Sequence, residues 1–85
     1  MSYRFIPNSV AKELLGTTEP SYTGDGMVPL LKAAIGKEKY DKYVIAQDPL
    51  CDGKTEGDIS IILNRGEPDP QKMQFASIGK IQLVP

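Results

Sequence analysis

Ser9-Val10-Ala11-Lys12 sets a hydroxyl and an amine one helical turn apart, a spacing in which a lysine can activate a serine nucleophile. That chemistry also calls for a Lys-Thr-Gly strand, and the nearest approach, Lys54-Thr55-Glu56, departs at its third position. Ser9 reads more simply as a helix cap and Lys12 as a solvated side chain. Gly53-Lys54-Thr55 matches the end of a phosphate-binding loop, but the first glycine of that pattern falls at Asp48. The carboxylates of Asp48 and Asp52 would repel phosphate, and the residues that follow have the composition of a strand, not of the helix whose N-terminus holds the anion.

Thr23-Gly24-Asp25-Gly26 is the better anion candidate, since it precedes a predicted helix and its glycines let a ligand approach the free N–H groups. A small anion or nucleotide bound there would use Thr23, Gly24 and Gly26, with Lys32 or Lys54 supplying charge. Asp25 opposes this reading, because its carboxylate would cap the same donors. Asp48, Asp52, Glu56 and Asp58 could gather round a hard cation, yet Leu50 and Ile59 occupy the third and twelfth positions of a calcium-loop pattern, where ligands belong. A solvated acidic loop is the simpler account, and no metal or cofactor is expected.

The chain has no histidine and one cysteine. Histidine is the side chain that exchanges protons near neutrality, and with cysteine it dominates transition-metal coordination. Cys51 sits among carboxylates that disfavour a thiolate. The chain is therefore expected not to be an enzyme.

The tyrosines Tyr3, Tyr22, Tyr40 and Tyr43 are candidates for contact instead, as tyrosine couples a rigid apolar body to one polar tip at low entropic cost. Phe75, Ile81 and Leu83 of the final strand join them as candidate interface residues. Ten Lys and Arg against eleven Asp and Glu leave a net charge of −1, which offers no long-range attraction to a phosphate backbone. Lys37, Lys39 and Lys42 are interrupted by Glu38 and Asp41, the pattern of a solvated face. Nucleic acid is not an expected partner. A single cysteine, no apolar leader at the N-terminus and no apolar run approaching the roughly 18–20 residues of a membrane span lead to the expectation of a cytoplasmic protein away from the membrane.

The elements that must carry these residues are short. Tyr3-Arg4-Phe5-Ile6 extends as a strand ended by Pro7. Asn8 or Ser9 caps a helix whose buried face is formed by Val10, Leu14 and Leu15 with Ala11 at its edge, and Gly16 stops it. Residues 17–26 have turn composition throughout and are expected to be an irregular loop. A second helix runs from Met27 to Gly36, carried by Met27, Leu30, Leu31 and Ala34. Residues 37–46 read as one helical turn and then a strand over 43–46.

Residues 59–63, β-branched and apolar on both alternating faces, form the clearest strand and are expected at the centre of a sheet. Glu67-Pro68-Asp69-Pro70 makes a stiff turn, after which residues 74–84 alternate, with Phe75, Ser77, Gly79, Ile81 and Leu83 on one face. Gly79 marks a bulge or bend. The whole is a single small α+β domain, residues 1–85: two short helices on a mainly antiparallel sheet of three to four strands ending in a long C-terminal β-hairpin. A chain this short has a thin core. The expected role is a non-enzymatic interaction or structural module that binds a protein partner or its own copies: a small subunit, an inhibitor, or an assembly component of a viral particle or regulatory complex. The alternative is a regulatory domain that binds a small anion or nucleotide at residues 23–26.

Overall fold

The computed structural model describes residues 2–44 and 48–84. Strand β1 (Ser2–Pro7) ends where Pro7 withdraws a donor, and Asn8 then starts α1 (Ser9–Leu15) by accepting the Ala11 N–H at 3.1 Å on its side-chain oxygen. Asn8, not Ser9, is thus the cap. Gly16, at φ 70°, closes the helix in the left-handed region. Ala11 and Leu15 face the core while Leu14 is 50% exposed. The buried face is therefore narrower than expected: it centres on Ala11 and Leu15 with Val10 packed beside them, and Leu14, about 100° round the helix from Leu15, falls on the solvent side.

Within the stretch expected to be loop, Tyr22–Gly24 forms β2 and pairs antiparallel with β1, Phe5 opposite Tyr22 and Arg4 opposite Thr23. Turn-rich composition gives way here because β1 offers an open row of backbone groups and Tyr22 packs its ring on the core. Helix α2 (Met27–Ile35) buries Leu30, Leu31 and Ala34, as its spacing predicts, together with Ile35, while Met27 is only half-buried, and it ends at Gly36. From there α3 (Lys37–Tyr43) runs seven residues, longer than the single turn expected. Of the strand expected over 43–46, Val44 makes one bridge to Ile61 and residues 45–46 lie outside the described residues.

Strands β3 (Glu56–Ile62) and β4 (Phe75–Val84) form the C-terminal hairpin, joined through a 3-10 turn at Pro70–Lys72. Asn64 ties this connection together by donating to the Lys72 carbonyl at 2.9 Å and accepting from the Gln74 N–H at 2.7 Å. The fold is α+β: three helices with a four-stranded antiparallel sheet in the order β2-β1-β4-β3. The apolar run at 59–63, expected to be central, is part of the edge strand, and β4 lies inside, bonded to both β1 and β3. Apolar character on both faces of β3 has a local cause: Ile59 and Ile61 enter the core, whereas Ile62 is buried on the other face.

A bulge divides β4. Ile59 pairs with Gly79 and Ser60 with Ser77, so Ile78 is the unpaired extra residue. Both Ile78 and Ile81 reach the core at 0% exposure, and the alternation reverses across the bulge. Phe75 and Ser77 consequently lie on the opposite face from Ile81 and Leu83, which corrects the single face expected for all of them. Gly79, at φ 144°, is packed so tightly against β1 that a Cβ there would overlap the Ile6 carbonyl oxygen and lie 2.9 Å from the Pro7 Cα. The three helices share one core cluster with Phe5, Ile59, Ile61, Ile78 and Ile81, which places them together on one side of the sheet. Among the described residues no helix is long and apolar enough to cross a membrane.

Candidate functional site

Because every helix packs on one side, no helix among the described residues covers the other face of the sheet, where Ile62 alone, at one corner, is buried. Strand alternation decides what stands on it. Across β2, β1, β4 and β3 one row reads Thr23, Arg4, Gln82 and Glu56, and the next reads Ile6, Lys80 and Asp58. Beyond the bulge Phe75 stands opposite Ile62. The cations sit on the inner strands β1 and β4, the carboxylates on the edge strand β3. Gln82 Nε2 donates to Glu56 Oε2 at 3.2 Å, and the row ends in a shallow depression of about 240 Å³ lined by Arg4, Thr55, Glu56, Gln82, Leu83 and Val84. Phe75, 54% exposed, is the most exposed large apolar side chain among the described residues, and it borders the buried Ile62.

The sequence-predicted interface residues divide between core and surface. Ile81 is fully buried and belongs to the core; Leu83 is half-buried. All four tyrosines are half-buried against the core cluster and form no exposed patch. Tyr3 and Tyr22 sit on the helical side of the sheet with Phe5. Tyr40 and Tyr43 lie on α3, where the Lys32 ammonium stands 5.3 Å from the centre of the Tyr40 ring and that of Lys42 5.2 Å from the Tyr43 ring. Only Phe75 meets the bare face.

The residues proposed for an anion are not brought together. Thr23 and Gly24 are bound into β2, and Gly26 is the N-cap of α2, without a side-chain cap from Asp25 or any other residue. Lys32 lies in the last turn of that helix, and Lys54 precedes β3 at the far edge of the sheet, about 14 Å away over three strand spacings. The acidic residues are likewise dispersed: no three His, Cys, Asp or Glu side chains among the described residues gather at metal-binding distance. Cys51 is an exposed free thiol.

Sequence reasoning did not place Arg4, Lys80 and Gln82 on a contact face, and it read Glu56 and Asp58 only as part of an acidic loop, although the signal was present. Polar residues recur at every second position in 56–60 and 80–82, but the pairing that aligns them depends on a bulge that alternation does not reveal. The chain matches no protein-family model, no curated protein and no solved structure.

Proposed function

We propose that this chain is a non-enzymatic interaction or structural module, a small subunit, inhibitor or assembly component that presents the uncovered face of its sheet to a protein partner. One observation carries the reading: three helices crowd one side of a four-stranded sheet and leave the other open, with the Phe75 ring 54% exposed on it. An antiparallel sheet tolerates one solvated face, and that face is then normally polar throughout. An exposed aromatic beside charged neighbours is instead the composition of a contact surface, where aromatic side chains and arginine are enriched. The mixed charge suits a protein surface better than a phosphate backbone.

Lysine footprinting in the cells that make the protein tests this. Lys80 stands on the bare face, whereas Lys12 and Lys37 are exposed on the helices. Protection of Lys80, with Lys12 and Lys37 still reactive, is the expected result. Equal reactivity of all three, or protection confined to the helices, overturns the proposal.

A further inference from the structure

The bare face is self-complementary along the β3–β4 ladder, and we infer that its occupant is a second copy of this chain, packed face to face about a two-fold axis running between β3 and β4. This rests on the interaction-module reading and names the partner. On the ladder, Glu56 is opposite Gln82, Asp58 opposite Lys80 and Ile62 opposite Phe75. An axis parallel to the strands and midway between them lays β4 of one copy over β3 of the other, so each residue meets the ladder partner of its own equivalent. Lys80 then faces Asp58 of the second copy, Gln82 faces Glu56 of the second copy, and the apolar corner at Phe75 meets its counterpart.

The register makes this arrangement selective. Flipping the sheet about an axis across the strands would instead set Glu56 against Asp58, a like-charge contact. Aligned sheets pack about 10 Å apart with strands within roughly 30° of each other, a gap that Lys, Gln, Glu and Phe side chains can fill from both sides. A patch seven residues long and two strands wide is roughly 20 Å by 10–15 Å, about 200–300 Å² per copy. That is well below the roughly 800 Å² per partner of a standard specific interface, so the dimer is weak, dissociating in the high micromolar range or above, and its register rests on the charge pairing.

Sedimentation velocity of the purified chain, from about 10 μM to about 1 mM, reads the association directly. The decisive comparison uses K80E and D58K. Each variant alone juxtaposes like charges twice across the axis and should associate at least about tenfold more weakly than the parent chain. Mixed in equal amounts they should form a heterodimer of near-parental affinity, because Glu at position 80 then meets Lys at position 58 and the remaining Lys80 meets the remaining Asp58. Only a contact between copies produces that rescue. Both positions are exposed, and circular dichroism checks that the variants fold; K80Q and D58N, which delete the pair without repulsion, serve if either does not. A chain that stays monomeric throughout, or a dimer indifferent to these substitutions, overturns the inference. If Lys80 is still protected in cells in that event, the interaction-module reading survives with a different partner.

Discussion

The Lys39 ammonium donates to the Leu15 carbonyl oxygen at 2.7 Å, which joins the first turn of α3 to the last turn of α1 across 24 residues of chain. A helix C-terminus leaves carbonyls without intrahelical donors and carries partial negative charge, so a cation there satisfies both. Arg65 does the same for α3, donating through Nη1 to the Asp41 carbonyl and through Nη2 to that of Val44 at 3.2 Å. Two of the ten basic residues thus serve to hold short helices, neither longer than seven residues, onto the rest of the fold.

Replacing Lys39 with Met keeps the aliphatic stem and removes the donor, and should lower stability by about 0.5–1 kcal/mol. Lys37→Met, one turn edge away and exposed, should change stability by less than about 0.5 kcal/mol. Urea midpoints of the two variants check the difference, and equal midpoints would remove the bridging role of Lys39.

Gly79→Ala should be severe, at about 3 kcal/mol or more, since the new methyl meets the β1 backbone at Ile6 and Pro7 and the residue would be held at φ 144°. Both obstacles are main chain and cannot swing aside. Thermal unfolding followed by circular dichroism reads the effect; a variant as stable as the parent would mean that β1 and β4 do not approach this closely.

Leu15→Ala should cost about 2–4 kcal/mol and Leu14→Ala under about 0.5 kcal/mol, because the first leaves a cavity in the core and the second trims a half-exposed side chain. Chemical denaturation of the pair tests the orientation of α1. Comparable losses at the two positions would restore the face suggested by residue spacing, which held both leucines.

Asn8 connects three segments: its Oδ1 accepts the Ala11 N–H, its Nδ2 donates to the Ser77 carbonyl at 2.9 Å, and its own N–H donates to the Ile78 carbonyl at 3.0 Å. Asn8→Asp keeps the cap but sets a carboxylate oxygen against the Ser77 carbonyl, so it should be destabilising by about 1 kcal/mol although aspartate caps helices as well as asparagine does. Asn8→Ala removes both and should cost about 1–2 kcal/mol. If Asn8→Asp matched the parent chain in a denaturant titration, the link from α1 to the bulge would carry no energy.

Thr17, 2% exposed, buries a hydroxyl that has no hydrogen-bond partner among the described residues. Thr17→Val removes that polar atom at nearly constant shape and should raise stability by up to about 1 kcal/mol. Differential scanning calorimetry checks the sign; a lower transition temperature would show that the hydroxyl is satisfied.

Much of the fold was legible in the order of residues wherever local stereochemistry governs. Pro7 ends a strand, Gly16 and Gly36 end helices, Met27, Leu30, Leu31 and Ala34 mark the buried stripe of α2, and the proline-rich stretch at 67–70 separates the two strands of the hairpin. Each of these follows from φ, ψ or a 3.6-residue period within a few residues of chain. The absence of histidine was equally plain from composition.

What required the tertiary structure was every choice between chemically equivalent partners. Tyr22–Gly24 is a strand only because β1 lies beside it with open backbone groups. β4 is central and β3 an edge because the N-terminal strand inserts against the C-terminal one, a pairing over some eighty residues that no local pattern encodes. The candidate face depended most on this long-range selection. An unpaired Ile78 reverses the alternation of β4, sends Ile81 into the core and Phe75 to the surface, and aligns Lys80 with Asp58 across the ladder. Side-chain period along a strand is local, but register is set by the neighbouring strand, and a shift of one residue exchanges inside for outside.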